Sequence, residues 1–179
     1  MSKRRRNDSL TGGTGDVNPQ WMSFSEVQSG NDTATGGSVQ PPVSLSTGTN
    51  LAMEILKIVL SIPNPPAAGT TSQVTFWLST KNFGTTAPTL GMGDSTVIIQ
   101  DSWTNTLATS GATIRNQLTA YDFSDGAGHG VLVGNQNLYW GIVSATTGAA
   151  NRVGCKILYR AKRISDSELL GIVLQSNQN

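Results

Sequence analysis

The run Arg152-Val-Gly-Cys-Lys-Ile-Leu-Tyr-Arg160 constrains the fold more than any other stretch. Val153, Cys155, Ile157 and Tyr159 recur at every second position, and Arg152, Lys156 and Arg160 fall between them with Gly154 and Leu158. Successive side chains of a strand point to opposite faces, so this segment offers an apolar face to a core and a polar face to water or a partner. It is the middle one of three apolar segments, Asn137–Ser144, Asn151–Ala161 and Leu169–Gln175, with turn-forming Thr146, Thr147, Gly148 and Ala149 between the first two. Rich in Val, Ile, Leu and aromatics, the three read as consecutive strands. The rest of the chain must supply the layer that covers their apolar face.

Upstream segments carry the same signal. Val43–Ser46 reads as a short strand. Leu51–Ile62 reads as a long one, with Met53, Ile55, Lys57 and Val59 opposite Glu54, Leu56, Ile58 and Leu60. Its second half is apolar on both faces, which predicts cover from two sides. The β-branched Ile55, Ile58, Val59 and Ile62 favour strand over helix, and Pro63, Pro65 and Pro66 end it. Ser72–Thr80, Ser95–Trp103, Thr113–Tyr121 and Val131–Val133 complete the set. Composition agrees: 3 Glu and 5 Lys leave little for helices, whereas 40 Ser and Thr, 20 Gly and 13 Asn suit many turns. Ser165-Asp-Ser-Glu168 has capping-box spacing and predicts a single helical turn before the last strand. The predicted fold class is all-β: a single eight-stranded antiparallel jelly-roll β-sandwich with a flexible N-terminal arm. An immunoglobulin-like sandwich is the rival; the Cys-Trp-Cys framework of its antibody members is missing, since the chain has 1 Cys.

Residues 1–38 read as the arm and residues 39–179 as the sandwich domain. Lys3, Arg4, Arg5 and Arg6 form a cationic tip, followed by Gly alternating with Ser, Thr, Asn and Asp, a composition poor in the apolar surface that offsets ordering entropy. Four acidic residues (Asp8, Asp16, Glu26, Asp32) balance the four basic ones, so only the tip is positive. Such a tip suits nucleic-acid phosphates. Trp21, Met22 and Phe24 interrupt the polar arm and are expected to anchor it, by docking on their own or a neighbouring domain.

Enzymatic readings find little. His129 and Cys155 are the single representatives of their types, which excludes a multi-cysteine zinc site and an internal disulfide. His129 lies in Asp125-Gly-Ala-Gly-His-Gly130, which lacks the Lys-Ser/Thr of a phosphate-binding loop; its glycines read as a turn that needs positive φ. No catalytic residue, cofactor or metal is expected, and Asp122 and Asp125 read as solvated loop carboxylates. Arg152, Lys156, Arg160, Lys162 and Arg163 form a second basic group. They read equally as an interior face that meets phosphates or as the outward polar face of a strand. No aromatics interleave with them in sequence, so binding there is expected to depend on charge and not on bases. The apolar run Met53–Ile62 is interrupted by Glu54 and Lys57 and is far short of the roughly 20 residues of a membrane-spanning helix. Lys3–Arg6 is followed by polar residues and not an apolar h-region, so no signal peptide is read and the protein is expected inside a cell.

Met53-Glu-Ile-Leu-Lys57, Asp125-Gly-Ala-Gly-His-Gly-Val-Leu-Val133, Lys156-Ile-Leu-Tyr-Arg160 and Leu169-Leu-Gly-Ile-Val173 together resemble the capsid proteins of small circular, replication-protein-encoding single-stranded DNA viruses. The likeness runs from about residue 51 to residue 175. It implies a single jelly roll assembled into an icosahedral shell with a basic N-terminal arm facing the genome, a role matched by Lys3–Arg6. The expected function is therefore structural: a self-assembling homo-oligomeric capsid subunit that encloses nucleic acid, single-stranded DNA with RNA as the alternative. It is expected in the virion and, during assembly, in the host cell and its nucleus. A β-sandwich binding module (lectin-like, fibre or head-decoration protein) is the second reading.

Overall fold

A computed structural model describes residues 18–41, 51–62, 71–89, 91–105, 117–135, 137–147 and 149–177. Nine strands lie among them: β1 (Gln20–Val27), β2 (Thr35–Val39), β3 (Leu51–Ile62), β4 (Ser72–Ser79), β5 (Val97–Asn105), β6 (Gln117–Asp122), β7 (Val131–Val133), β8 (Leu138–Ala145) and β9 (Arg152–Arg163). One helix, α1 (Asp166–Asn177), follows. A five-stranded sheet runs β1-β9-β3-β6 with β7 also on β3, and a four-stranded sheet runs β2-β8-β4-β5. Every pairing is antiparallel.

The order decodes as a rolled ribbon. β1 lies beside β9, β2 beside β8, β3 beside β6 and β7, and β4 beside β5, as in one long hairpin. Rolling that hairpin adds the pairings of β9 with β3 and β8 with β4. This is a jelly roll. β6 pairs with residues 57–62 of β3 and β7 with residues 53–55, so the two fill one position end to end and nine strands occupy eight places. The all-β eight-stranded sandwich expected from the sequence is the fold observed. The segment Val43–Ser46 and the first residues of Thr113–Tyr121 lie outside the described residues.

The core between the sheets holds Met53, Ile55, Ile58 and Leu60 of β3, Val74, Phe76 and Leu78 of β4, Leu138, Trp140 and Ile142 of β8, and Val153, Cys155, Ile157 and Tyr159 of β9. β9 keeps the predicted alternation throughout. β3 does not: its register with β9 shifts between Ile55 and Lys57. Leu56 is the extra residue of a bulge, so inward positions change from odd to even along the strand. The expectation that Met53, Ile55, Lys57 and Val59 share a face is corrected accordingly. The bulge also explains why the strand is apolar in both parities.

Two further expectations are corrected. Residues 20–38 are not arm: β1 is hydrogen-bonded to β9 along its whole length, and β2 to β8. Backbone pairing does not depend on side-chain hydrophobicity, and Met22 and Phe24 add apolar contact with the core. Trp21 faces the other way, because adjacent strand residues cannot share a face. The expected three-residue anchor is therefore split between two faces of the sheet. The last apolar run, Leu169–Gln175, is helix and not strand. Ser165 Oγ receives the Glu168 amide at 3.3 Å and Glu168 Oε2 receives the Ser165 amide at 2.7 Å, so both halves of the capping box are made and the helix continues past the single turn expected. Ile172 of α1 joins Val97, Ile98, Phe123 and Val131–Val133 around a cavity of ≈ 220 Å³ where β5 and β7 leave the sandwich open.

Part of the outer face of the four-stranded sheet is covered by the chain itself. Trp77 points outward from β4 yet is fully buried. It lies over Gly141 on β8, where a Cβ would come within 2.0 Å of the indole. Beside it, a Cβ on Gly36 would be 2.1 Å from the carbonyl oxygen of Gly84, so the chain after β4 crosses the sheet at that point. Glycine is required at both places by close approach, not by turn geometry. We predict that Gly141→Ala lowers stability by about 1–3 kcal/mol, the usual cost of overpacking. Urea unfolding of the purified variant measures this.

Candidate functional site

The outer face of the five-stranded sheet is built from rows whose members the registers define. Val27 and Arg152 form one row. Ser25, Gly154, Ser61 and Leu118 form the next; then Ser23, Lys156, Val59 and Ala120; then Trp21, Leu158, Lys57 and Asp122. Arg160 and Glu54 lie one row further on, opposite Leu132. Along the β9 strand, successive outward residues are about 6.6 Å apart.

Glu54 governs the lower half of this face. Its side chain is buried although it points away from the core. Arg160 Nε donates to its Oε2. Lys162 Nζ is 3.4 Å from Oε1, and the Gly130 amide donates to the same oxygen at 3.2 Å. Burial acts to raise the Glu54 carboxyl pKa. The Arg160 hydrogen bond, the Gly130 amide and the charges of Arg160 and Lys162 outweigh that and hold it below the ordinary value of 4.5.

The same cluster fastens the loop between β6 and β7. Arg160 Nη2 donates to the Gly128 carbonyl oxygen at 2.9 Å, and His129 Nδ1 lies 3.8 Å from Glu54 Oε1. Asp125 Oδ1 accepts the amides of Ala127 and His129, each at 2.9 Å. Gly126 and Gly128 have φ of 79° and 87°, the left-handed turn read from the sequence. Gly130 passes so close to β3 that a Cβ would be 2.1 Å from the Ile55 carbonyl oxygen.

At the other end of the sandwich a polar network joins the β1–β2 turn to the β8–β9 turn. Gln28 Oε1 accepts from Ser144 Oγ at 3.0 Å, from the Asn151 amide at 3.0 Å and from Asn151 Nδ2 at 2.9 Å. Asp32 Oδ1 accepts from the Thr147 amide at 2.7 Å and from Thr147 Oγ1 at 2.9 Å. Asp32 has φ of 49°, a left-handed geometry that its bonds to Thr147 fix. Gln28, Ser144, Thr147 and Asn151 are all buried. No sequence motif announces these residues, because partners more than 110 positions apart meet only in the fold.

The expected basic group divides. Arg152 and Lys156 are exposed on the outer face. Arg160 and Lys162 share that face but are engaged by Glu54. Arg163 falls in the opposite parity of β9 and leaves the group. Lys3–Arg6 lie outside the described residues. Cys155 is buried in the core, where desolvation pushes its thiol up to about 12, so it remains protonated at neutral pH. Among the described residues no group of three or more His, Cys, Asp and Glu is placed to hold a metal ion, and no helix is long and apolar enough to cross a membrane.

No protein-family model matches the sequence, and no curated protein matches it. Structures that resemble it are found among VP1 capsid proteins of polyomaviruses. VP1 of Merkel cell polyomavirus, solved in complex with 3′-sialyllactosamine, has a TM-score of 0.50 at 7% identity, covering 85% of this chain and 97% of that one. VP1 of Trichodysplasia spinulosa-associated polyomavirus, solved in complex with GM1 oligosaccharide, has a TM-score of 0.47 at 8% identity, covering 85% and 100%. The Merkel cell polyomavirus likeness agrees with the jelly roll read from the strand order.

Glu54→Ala leaves Arg160 without its buried counter-charge, and we expect it to cost about 3 kcal/mol in chemical denaturation. A carboxyl whose folded pKa is depressed lends stability above its unfolded value, here 4.5, and loses it as pH falls through the folded one. The native chain should therefore lose stability below about pH 4.5, and Glu54→Gln should flatten that part of the profile.

Proposed function

We propose that the chain is a structural capsid subunit of a virus: it self-assembles into an icosahedral shell that encloses the genome, with the N-terminal arm facing the interior. The observation that carries this reading is the strand order, β1-β9-β3-β6 against β2-β8-β4-β5, in a chain of only 13% charged residues. A jelly roll whose surface carries little charge loses little by burying that surface against copies of itself. Fold by itself does not define function. The basic tip Lys3–Arg6 adds the second element of the reading, a contact for phosphates, with the arm taken as the residues before β1.

The resemblance of the segments between residues 51 and 175 narrows the proposal to small circular single-stranded DNA viruses, with localisation in the virion and assembly in the host nucleus. Genome contact through four cations gives a salt slope of only about −3 on a single strand. Many tips acting on one shell supply the rest by effective concentration.

Negative-stain microscopy of the purified chain, with absorbance at 260 and 280 nm before and after nuclease, tests this. Closed shells that protect nucleic acid are expected. Discrete monomers or trimers would replace the proposal with the binding-module reading. Replacing Lys3, Arg4, Arg5 and Arg6 together by Ala should yield shells that form but hold less nucleic acid; normal packaging would remove the tip from the account.

A further inference from the structure

We propose that the upper outer face of the five-stranded sheet binds single-stranded nucleic acid, with a base stacked on Trp21 and phosphates held by Lys156 and Arg152. Trp21 is 54% exposed on an edge strand, where a large aromatic gains nothing from the core. It pairs across with Leu158, so Lys156 is its diagonal neighbour on β9, at about 7–8 Å, within reach of both side chains. Arg152 lies four residues further along the β9 strand, about 13 Å away. Between them Ser23, Ser25, Gly154 and Ser61 present only short side chains and leave a hollow of ≈ 700 Å³, flanked by the 71%-exposed Leu118. The arrangement is a stacking platform, a shallow trough and two cations on one open sheet. Single-stranded nucleic acid is recognised through just this combination of aromatic faces and a positive track.

Charge selects this occupant over a second copy of the chain. Glu54 is already tied to Arg160 and Lys162, and the other carboxylate in these rows, Asp122, lies at the far edge beside Lys57. Two such faces meeting about a two-fold axis would bring like charges together. A duplex keeps its bases stacked and offers none to the indole. The inference rests on the nucleic-acid part of the proposed function and not on shell formation. It gives that contact a second set of residues, none of them in the tip.

The chain carries its own probe. Of its four tryptophans, Trp77, Trp103 and Trp140 are 0%, 8% and 6% exposed, so Trp21 is the one a ligand can reach. Titrating the full chain with a ten-residue oligothymidylate at low salt should quench tryptophan emission. Trp21→Ala should abolish the quenching and weaken binding roughly tenfold or more, and Trp21→Phe should retain most of the affinity. Lys156→Ala and Arg152→Ala should each lower the salt slope by about 0.7. The variant with Lys3–Arg6 replaced by Ala should still be quenched. Far-UV circular dichroism checks that each variant is folded. The proposal is overturned if Trp21→Ala binds as tightly as the parent, or if the parent binds without quenching. It is equally overturned if emission shifts to the blue with protein concentration alone, which would make this face a subunit contact. If the chain forms no shells yet is quenched as described, the capsid reading fails and this site stands.

Discussion

The pairing of β9 with both β1 and β3 is the constraint on which everything else depends. β9 is the next-to-last element of the chain, yet it sits between the first described strand and the third. Neither pairing forms until residues 93 to 139 positions apart have met. Closing such a long loop carries an entropic cost before any contact offsets it. Non-local sheets of this type fold slowly for that reason. The network of Gln28, Ser144 and Asn151 lies where β1 ends and β9 begins, so it holds shut the junction that is hardest to bring together. A fully satisfied buried network also defines a unique register in a way that apolar contact alone does not.

Among the described residues the two sheets treat their outer faces differently. On the four-stranded sheet, Gly36 and Gly141 clear a lane for Trp77 and the chain after β4, and these cover that part of the face. On the five-stranded sheet no described residue crosses the upper rows in this way. Its upper rows carry Ser23, Ser25, Ser61 and Gly154, and its large side chains, Trp21 and Leu118, remain in solvent. A sheet covered on one side by the core and left open on the other needs outward residues that tolerate water. Trp21 and Leu118 do not fit that requirement, which is why they point to a ligand.

Much of the fold was legible because it rests on period-two alternation, a local signal. β9, β4 and β8 are strands for reasons visible in their own residues, and the predicted bounds of β7 match the observed ones. The errors arose where a non-local event overrides the local one. A one-residue bulge at Leu56 reversed the faces of β3 halfway along. Backbone pairing drew the polar residues 20–38 into the sheets. In Leu169–Gln175 the apolar run suited helix and strand alike, and the capping box at Ser165 and Glu168 decided for helix. The site was less legible than the fold. Arg152, Lys156, Arg160 and Lys162 do share a face, as alternation predicts. Glu54, 106 positions from Arg160 and 108 from Lys162, could not be paired with those two from the sequence, nor could Trp21 be placed beside Lys156.

The role of Glu54 follows from its position. A buried carboxylate is costly unless its partners are already in place, and here β9 supplies two cations and the β6–β7 loop supplies an amide. The arrangement exchanges positive charge for order. Two of the five cations on this face, Arg160 and Lys162, are engaged by Glu54, which leaves Arg152 and Lys156 with Lys57 at the margin. Two such contacts support only weak, salt-sensitive binding per subunit. Contacts this weak add up only where several such sites engage one strand, because each further contact then forms at a high effective concentration.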